Sequence, residues 1–250
     1  MKIFAPLRGL ALFGLLLAMP ATAFAQGPSE PGWPQPMNND PILGYAILHQ
    51  NELRIGSGLT AYRWDGEGWY GGNINRAWFS SEGSVDTRTG ALSDSEVEAL
   101  YARAISRYFN LQTGMRYDFG NEPGEAWGVF GVEGLAPLFF DLGAHAYIGA
   151  DGRLAARIDA RYDLFITQRL VLQPQLEANF YSKPDPRRGI GSGLSDIDTG
   201  LRLRYEVSRQ FAPYIGVVYA GKFGDTANLA RAAHQKPDRL LFTVGVRLWL

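Results

Sequence analysis

The sequence predicts an all-β protein, an antiparallel transmembrane β-barrel of twelve strands with short periplasmic turns. Three observations point there: long segments alternate between apolar and polar residues, their polar faces carry charges of both signs, and aromatic residues gather near the segment ends. Alternation places successive side chains on opposite faces of a strand, whereas a helix would mix the two sets. Soluble sandwiches alternate too, so length and charge decide. Several segments run ten or more residues, beyond the ~5–6 usual in soluble sheets and matching the ~9–11 that cross a bilayer at a tilt. A densely charged inner face is what a polar barrel interior requires.

Residues 1–25 read as a cleavable secretory signal. Lys2 and Arg8 give a positive start, Gly9 to Met19 a short apolar run, and Ala23-Phe24-Ala25 a small-x-small cleavage pattern before Gln26. The apolar run is too short to span ~30 Å of hydrocarbon. Residues 26–42 hold Pro28, Pro31, Pro34, Pro36 and Pro41, and are expected to form an extended, disordered arm. The barrel is assigned to residues 43–250.

The strands are expected near 43–55, 59–70, 75–84, 94–107, 110–119, 126–134, 139–150, 153–166, 170–182, 195–207, 212–221 and 240–250. In Leu154 to Leu164 the apolar face is Leu154, Ala156, Ile158, Ala160, Tyr162 and Leu164, opposite Arg157, Asp159, Arg161 and Asp163. In Ile197 to Val207 the apolar set opposes Asp196, Asp198, Arg202, Arg204 and Glu206. Leu172, Leu176, Ala178 and Phe180 oppose Gln173, Gln175, Glu177 and Asn179. Aromatic pairs such as Tyr117 and Phe119, Phe180 and Tyr181, and Tyr219 and Phe223 fit the girdles of an outer-membrane barrel. Short connections near Arg107–Asn110, Ala136–Phe139, Thr167–Leu170 and Arg209–Pro213 alternate with longer ones at Glu82–Ser93, Gly120–Ala126, Ser182–Ser195 and Gly224–Arg239. The short set is expected at the periplasm and the long set outside.

One segment carries two patterns. Ser93 and Glu96 form a capping box, and Val97, Leu100, Tyr101, Ala104, Ile105 and Tyr108 fit a helical stripe. A strand is assigned, because a helix would leave an odd strand count. At the C-terminus Phe242, Val244, Val246, Leu248 and Leu250 alternate with Gly245 and Trp249 between them, similar to the strand signal read by barrel-assembly machinery. Its last residue is Leu250 where an aromatic one is usual.

Composition excludes several classes. Without Lys2 and Arg8 the 24 basic residues fall to 22 against 25 acidic, too balanced for a nucleic-acid partner. Cysteine is absent, which removes disulfides, thiolate nucleophiles and thiolate metal sites. No metalloprotease motif, nucleophile elbow or phosphate-cradling loop is found, and Gly189-Ile190-Gly191-Ser192-Gly193 sits in a loop without strand-to-helix context. The chain is not expected to be an enzyme. Its expected place is the cell outer membrane, with outer-membrane lipid as its solvent. The charged residues Arg157, Asp159, Arg161, Asp163, Glu177, Asp196, Asp198, Arg202 and Arg204 come from strands close in sequence. They form either a salt-bridged plug or a polar path for ions, since twelve strands leave more interior than the eight that side chains just fill.

Asp40–Arg54 (DPILGYAILHQNELR), Trp69–Gly83 (WYGGNINRAWFSSEG), Glu98–Phe119, Gly131–Asp163, Leu170–Tyr181 and Gly191–Tyr219 together resemble the copper-resistance protein B family, outer-membrane barrels associated with periplasmic copper handling. The resemblance implies copper as ligand, copper binding or its removal from the periplasm, and a periplasmic copper-handling protein as partner. Family members often carry a Met- and His-rich segment before the barrel, whose soft ligands suit copper. Here the arm offers only Met37. The candidate metal ligands are His145, His49 and Met37. His145 shares its phase with Asp141 and Tyr147 and points into the lumen; His49 shares its phase with Tyr45 and Ile47 but also with Asn51, so its direction stays open. Met115 falls on the lipid face and His234 in a loop. A narrow general pore or structural barrel without a metal role is the alternative.

Overall fold

The computed structural model describes residues 41–56, 58–120 and 124–250. The signal sequence, nearly all of the arm and Met37 lie outside the described residues. Thirteen strands form one sheet: β1 (Leu43–Gly56), β2 (Leu59–Gly71), β3 (Asn75–Asp86), β4 (Leu92–Ala104), β5 (Phe109–Phe119), β6 (Glu125–Ala136), β7 (Phe140–Gly149), β8 (Leu154–Arg161), β9 (Leu164–Phe165), β10 (Leu170–Tyr181), β11 (Gly193–Tyr205), β12 (Phe211–Lys222) and β13 (Asp238–Trp249). β8 and β9 are two pieces of one stave, broken at Tyr162-Asp163, and both pair with β10. Each stave is antiparallel to its sequence neighbour, and β1 pairs with β13, so twelve staves close into a barrel. The Leu250 N–H donates to the Ala46 carbonyl at 2.9 Å, continuing that seam to the last residue. Closure leaves no strand edge, which is what lets a sheet sit in hydrocarbon.

The segment with two patterns is a strand. Leu92–Ala104 pairs with both β3 and β5, and the helical stripe is overridden by those ladders. Glu96, Leu100 and Ala102 point inward and are buried, while Val97 and Tyr101 face out.

The outward set is predominantly apolar. Met115, Phe130, Ile148, Ile215 and Phe242 are more than half exposed, and Leu53, Ile158, Leu176, Leu201 and Val244 face the same way. A continuous apolar surface of this extent needs lipid rather than water around it. Among the described residues no helix is long and apolar enough to cross a membrane; the strands do the crossing.

The two rims differ. One carries the connections after β2, β4, β6, β9 and β11 together with the start of β1 and the end of β13; the other carries the longest connections, 182–192 and 223–237. By the asymmetry of outer-membrane barrels the first rim is periplasmic and the second external. Four external connections, after β1, β3, β5 and β7, are also short: the long connections expected at 82–93 and 120–126 shrink to 87–91 and 120–124 because the flanking strands extend into them. The 223–237 connection was expected to be loop throughout, but it contains α1 (Gly224–Ala232). Alanine and leucine favour helix there, Asp225 lies in the first turn and Arg231 in the last, and Thr226, Ala227 and Ala230 are buried beside β11. Nine residues framed by loop-forming neighbours gave too short a period to separate from a polar loop. His234 follows the helix with a left-handed φ of 57°.

Candidate functional site in the barrel lumen

All nine charged residues assigned to the lumen line it or its rims, in three different environments. The first is a hub around Glu52. Arg202 donates from Nε and Nη2 at 2.9 Å each, Arg54 Nε donates at 2.7 Å, and the Tyr214 hydroxyl donates at 2.8 Å. Arg54 also grips Asp198 through Nη1 at 2.6 Å. Glu52 and Arg202 are about fully buried, so four charge-assisted bonds stand in for the water both ions lost. Gly245 is the partner of both Glu52 and Tyr214 across the ladders, and a Cβ there would come within 2.7 Å of each side chain. Nearer the periplasmic rim Arg204 donates to Asp163 at 2.7 Å, and Gln173 donates to the other oxygen of that carboxylate.

The second environment is a layer that crosses the lumen. Arg157 on β8 binds Glu96 on β4 with two parallel bonds of 2.6 and 3.0 Å, four staves away around the wall. Arg116 reaches the same carboxylate at 2.5 Å. Glu177 lies 3.6 Å from both Arg157 and Arg63, and Asn179 donates to Glu177 and to Asp196 at 2.9 Å each. This guanidinium–carboxylate fork spans a chord of the bore at this level.

Above this layer the external mouth is strapped. Arg188, in the connection between β10 and β11, reaches Glu125 at 3.0 Å and Asp118 at 3.5 Å on the far side of the rim. Arg153 pairs with Glu125 and with Asp185 of the same connection. Its backbone N–H also bonds Asp151, which holds that carboxyl below the ordinary range. Gly191 N–H donates to Thr226 Oγ1 at 2.8 Å and joins the strap to α1.

The third environment is a partly open cavity of ≈ 80 Å³, lined by eight carboxylates and only two guanidinium groups, Arg157 and Arg161. By register its floor reaches toward the periplasmic side of the crossing layer. Asp65, Glu82, Glu96 and Glu177 have an arginine within 4.0 Å. Glu98, Glu133 and Asp159 have none among the described residues, and Glu98 Oε1 is buried with no hydrogen-bond partner. His145 lines this cavity as its strand phase predicts. Its Nε2 lies 2.7 Å from Gln112 Oε1, and Gln112 Nε2 donates to Glu133 at 2.7 Å. With the amide donating to Glu133, its oxygen must accept, so His145 carries its proton on Nε2 and keeps a lone pair on Nδ1. Gly131 stands opposite His145 on β6, and a Cβ there would overlap the imidazole.

His49 resolves by a register shift. β1 bulges between Leu48 and Gln50 against β2, so Ile47 and His49 face in before the bulge and Gln50, Glu52 and Arg54 face in after it. His49 Nε2 bonds Glu67 Oε1 at 2.9 Å, and Glu67 lines the same cavity as His145. The two histidines thus share one chamber through Glu67, whereas Met115, 74% exposed, faces lipid. Sequence reading left Glu52, Arg54, Arg63 and Glu96 out of the lumen set, and placed Arg116 on the polar face of its strand without assigning it to the charge network. In-phase polar residues on β1 and β4 were the available signal, masked by the bulge and by the helical stripe.

Copper was tested against these residues. Among the described residues no three histidine, aspartate or glutamate side chains converge closely enough to hold one ion, and the chain has no cysteine. The described residues offer no preformed inner coordination sphere for copper.

A closed twelve-stave wall with an apolar exterior and a charged lumen defines an outer-membrane β-barrel. It is similar to the NanC porin structure at a TM-score of 0.54 and 16% identity, covering 83% of this chain and 100% of that one, a likeness of fold alone. The chain belongs to the copper resistance protein B family, whose model, described as copper resistance protein B precursor (CopB), matches residues 42–250. It is 41% identical over 213 residues to the copper resistance protein B homolog of Pseudomonas syringae pv. tomato, across 85% of this chain and 72% of that protein. It is 35% identical over 212 residues to copper resistance protein B of Escherichia coli, across 84% and 71%. The expected resemblance and the outer-membrane location are both borne out.

Proposed function

We propose that this protein confers copper resistance at the outer membrane by taking up copper from the periplasmic side and holding it in the lumen, aiding its removal from the periplasm. Family membership across 42–250 is the observation that carries this reading. The lumen supports it chemically: surplus carboxylates and two imidazoles attract a cation, while the Arg157–Glu96 layer and the strap above oppose its onward diffusion. Met37 would add one soft ligand from the arm. A periplasmic copper-handling protein is the partner this reading calls for, and barrel-assembly machinery would read the last strand. The chain is proposed to bind and hold rather than to catalyse.

A narrow general pore or a structural barrel without a metal role is the competing reading, favoured by the lack of a converged ligand set. Copper tolerance of a deletion strain separates the two. Tolerance should fall on deletion and return with the intact gene. Unchanged tolerance would sink the copper role, and rapid ion flux through liposomes carrying the purified barrel would favour the pore.

A further inference from the structure

We infer that the periplasmic turns form a docking surface for negatively charged phospholipid headgroups, gripped through Arg103, Arg107, Arg169 and Arg209. Three of the five turns on this rim repeat one pattern: Ile105-Ser106-Arg107-Tyr108-Phe109, Ile166-Thr167-Gln168-Arg169-Leu170 and Val207-Ser208-Arg209-Gln210-Phe211. In each, the hydroxyl oxygen of Ser106, Thr167 or Ser208 accepts the N–H three residues on, at 3.0, 2.9 and 3.1 Å, which fixes the bend that carries the arginine. The aliphatic residue ahead of each hydroxyl, Ile105, Ile166 or Val207, is more than half exposed and continues the outward phase of its strand. Arg103 shares the outward phase of Val97 and Tyr101 on β4.

Charge selects the occupant. All four arginines are exposed, and none pairs with a carboxylate among the described residues. The five turns hold a single carboxylate, Glu206, and Arg204 of the lumen binds it at 3.3 Å. The external rim is arranged the other way, with Arg153 and Arg188 both engaged by Glu125 and Asp185. Arg169 and Arg209 sit on neighbouring turns, tied where the Glu206 N–H donates to the Arg169 carbonyl at 2.7 Å, while Arg103 and Arg107 flank the end of β4. Each pair lies at the periplasmic border of the apolar wall. A guanidinium presents a planar fork that matches two oxygens of a phosphate. A phosphate held at that border, with acyl chains against the outward aliphatics, belongs to a phospholipid. The uncompensated positive charge favours a headgroup with net negative charge over a zwitterion.

The test uses the full chain refolded in detergent, titrated with phosphatidylglycerol and, as the zwitterionic control, phosphatidylcholine, with bound lipid followed by native mass spectrometry. Phosphatidylglycerol is expected to bind about tenfold or more tighter than phosphatidylcholine. That preference should vanish in Arg103→Gln/Arg107→Gln/Arg169→Gln/Arg209→Gln. The Arg→Lys counterpart keeps the charge but loses the fork, so it should retain part of the preference, which a misfolded variant could not do. Lys183→Gln/Arg187→Gln, on the external rim, should bind as the parent does. Inorganic phosphate at the lipid's concentration should not displace the lipid, because it lacks the acyl chains. Equal binding of the two lipids by the parent would overturn the proposal and leave the arginines to an acidic protein surface. An undiminished preference in the Gln variant, or an equal loss in the external-rim variant, would overturn it too, and displacement by inorganic phosphate would give the arginines to a free anion. None of these outcomes touches the resistance reading, which stands or falls on the deletion strain.

Discussion

The hub around Glu52 and the chamber around His145 are built from the same residue types in the same lumen, yet they are opposites. In the hub every ion has its complement: Glu52 accepts four bonds, and Arg54 passes the remaining charge to Asp198. In the chamber eight carboxylates face two guanidiniums, and Glu98, Glu133 and Asp159 form no ion pair with an arginine among the described residues. Burying ions is tolerable only when pairing replaces hydration, so the hub closes on itself and serves the wall. The chamber stays electrostatically open, and an open set of charges is what a mobile ion needs. Of the plug and ion path left as alternatives by the sequence, the hub has the paired charges of a plug, whereas the chamber keeps more carboxylates than guanidiniums.

The largest break in this comparison should come from Glu52→Gln. It leaves Arg202 and Arg54 buried against a neutral amide and is expected to cost about 3–5 kcal/mol, read as the shift in a urea refolding curve in detergent. A change within about 0.5 kcal/mol would show that the hub contributes little to the wall. Glu96→Gln should cost less, about 2–3 kcal/mol, because Arg116 keeps Asp118 and Arg157 keeps Asn179. Single-channel conductance should rise in that variant as the fork across the bore loosens, and unchanged conductance would place the constriction elsewhere. Arg188→Ala should cost about 0.5–1 kcal/mol at the rim. Its main readout is faster protease cleavage within 182–192, and cleavage at the parental rate would mean the strap is held without that clasp. The smallest stability effect is reserved for Glu98→Gln, within about 0.5 kcal/mol of the parent or stabilising, since no arginine is orphaned. A cost as large as that of Glu52→Gln would erase the distinction between the two regions.

Strand phase made much of this legible. Arg157, Asp159, Arg161 and His145 all point where a period of two places them, because a closed barrel leaves each side chain only lipid or lumen. The seam of β13 with β1 was equally readable, as its apolar residues alternate to the end. Pairing partners were not legible. Arg157 meets Glu96 across 61 positions of sequence, a distance set by barrel circumference and shear rather than by any local pattern. Helix α1 was hidden because nine residues barely exceed two turns, and its burial depends on β11 lying beside it.

The bulge at His49 divides β1 into two reading frames. Residues before it obey one parity and residues after it the other, because His49 is the one residue by which β1 outruns its neighbour β2. Replacing His49 would remove the contact with Glu67, while deleting it would erase the bulge: Leu48 and Gln50 already pair with the consecutive residues Gly66 and Asp65, so strict alternation would return with Gln50, Glu52 and Arg54 still facing the lumen. At this position the chain should therefore tolerate loss of one residue, whereas one residue added to either half of β1 would turn that half to the wrong face.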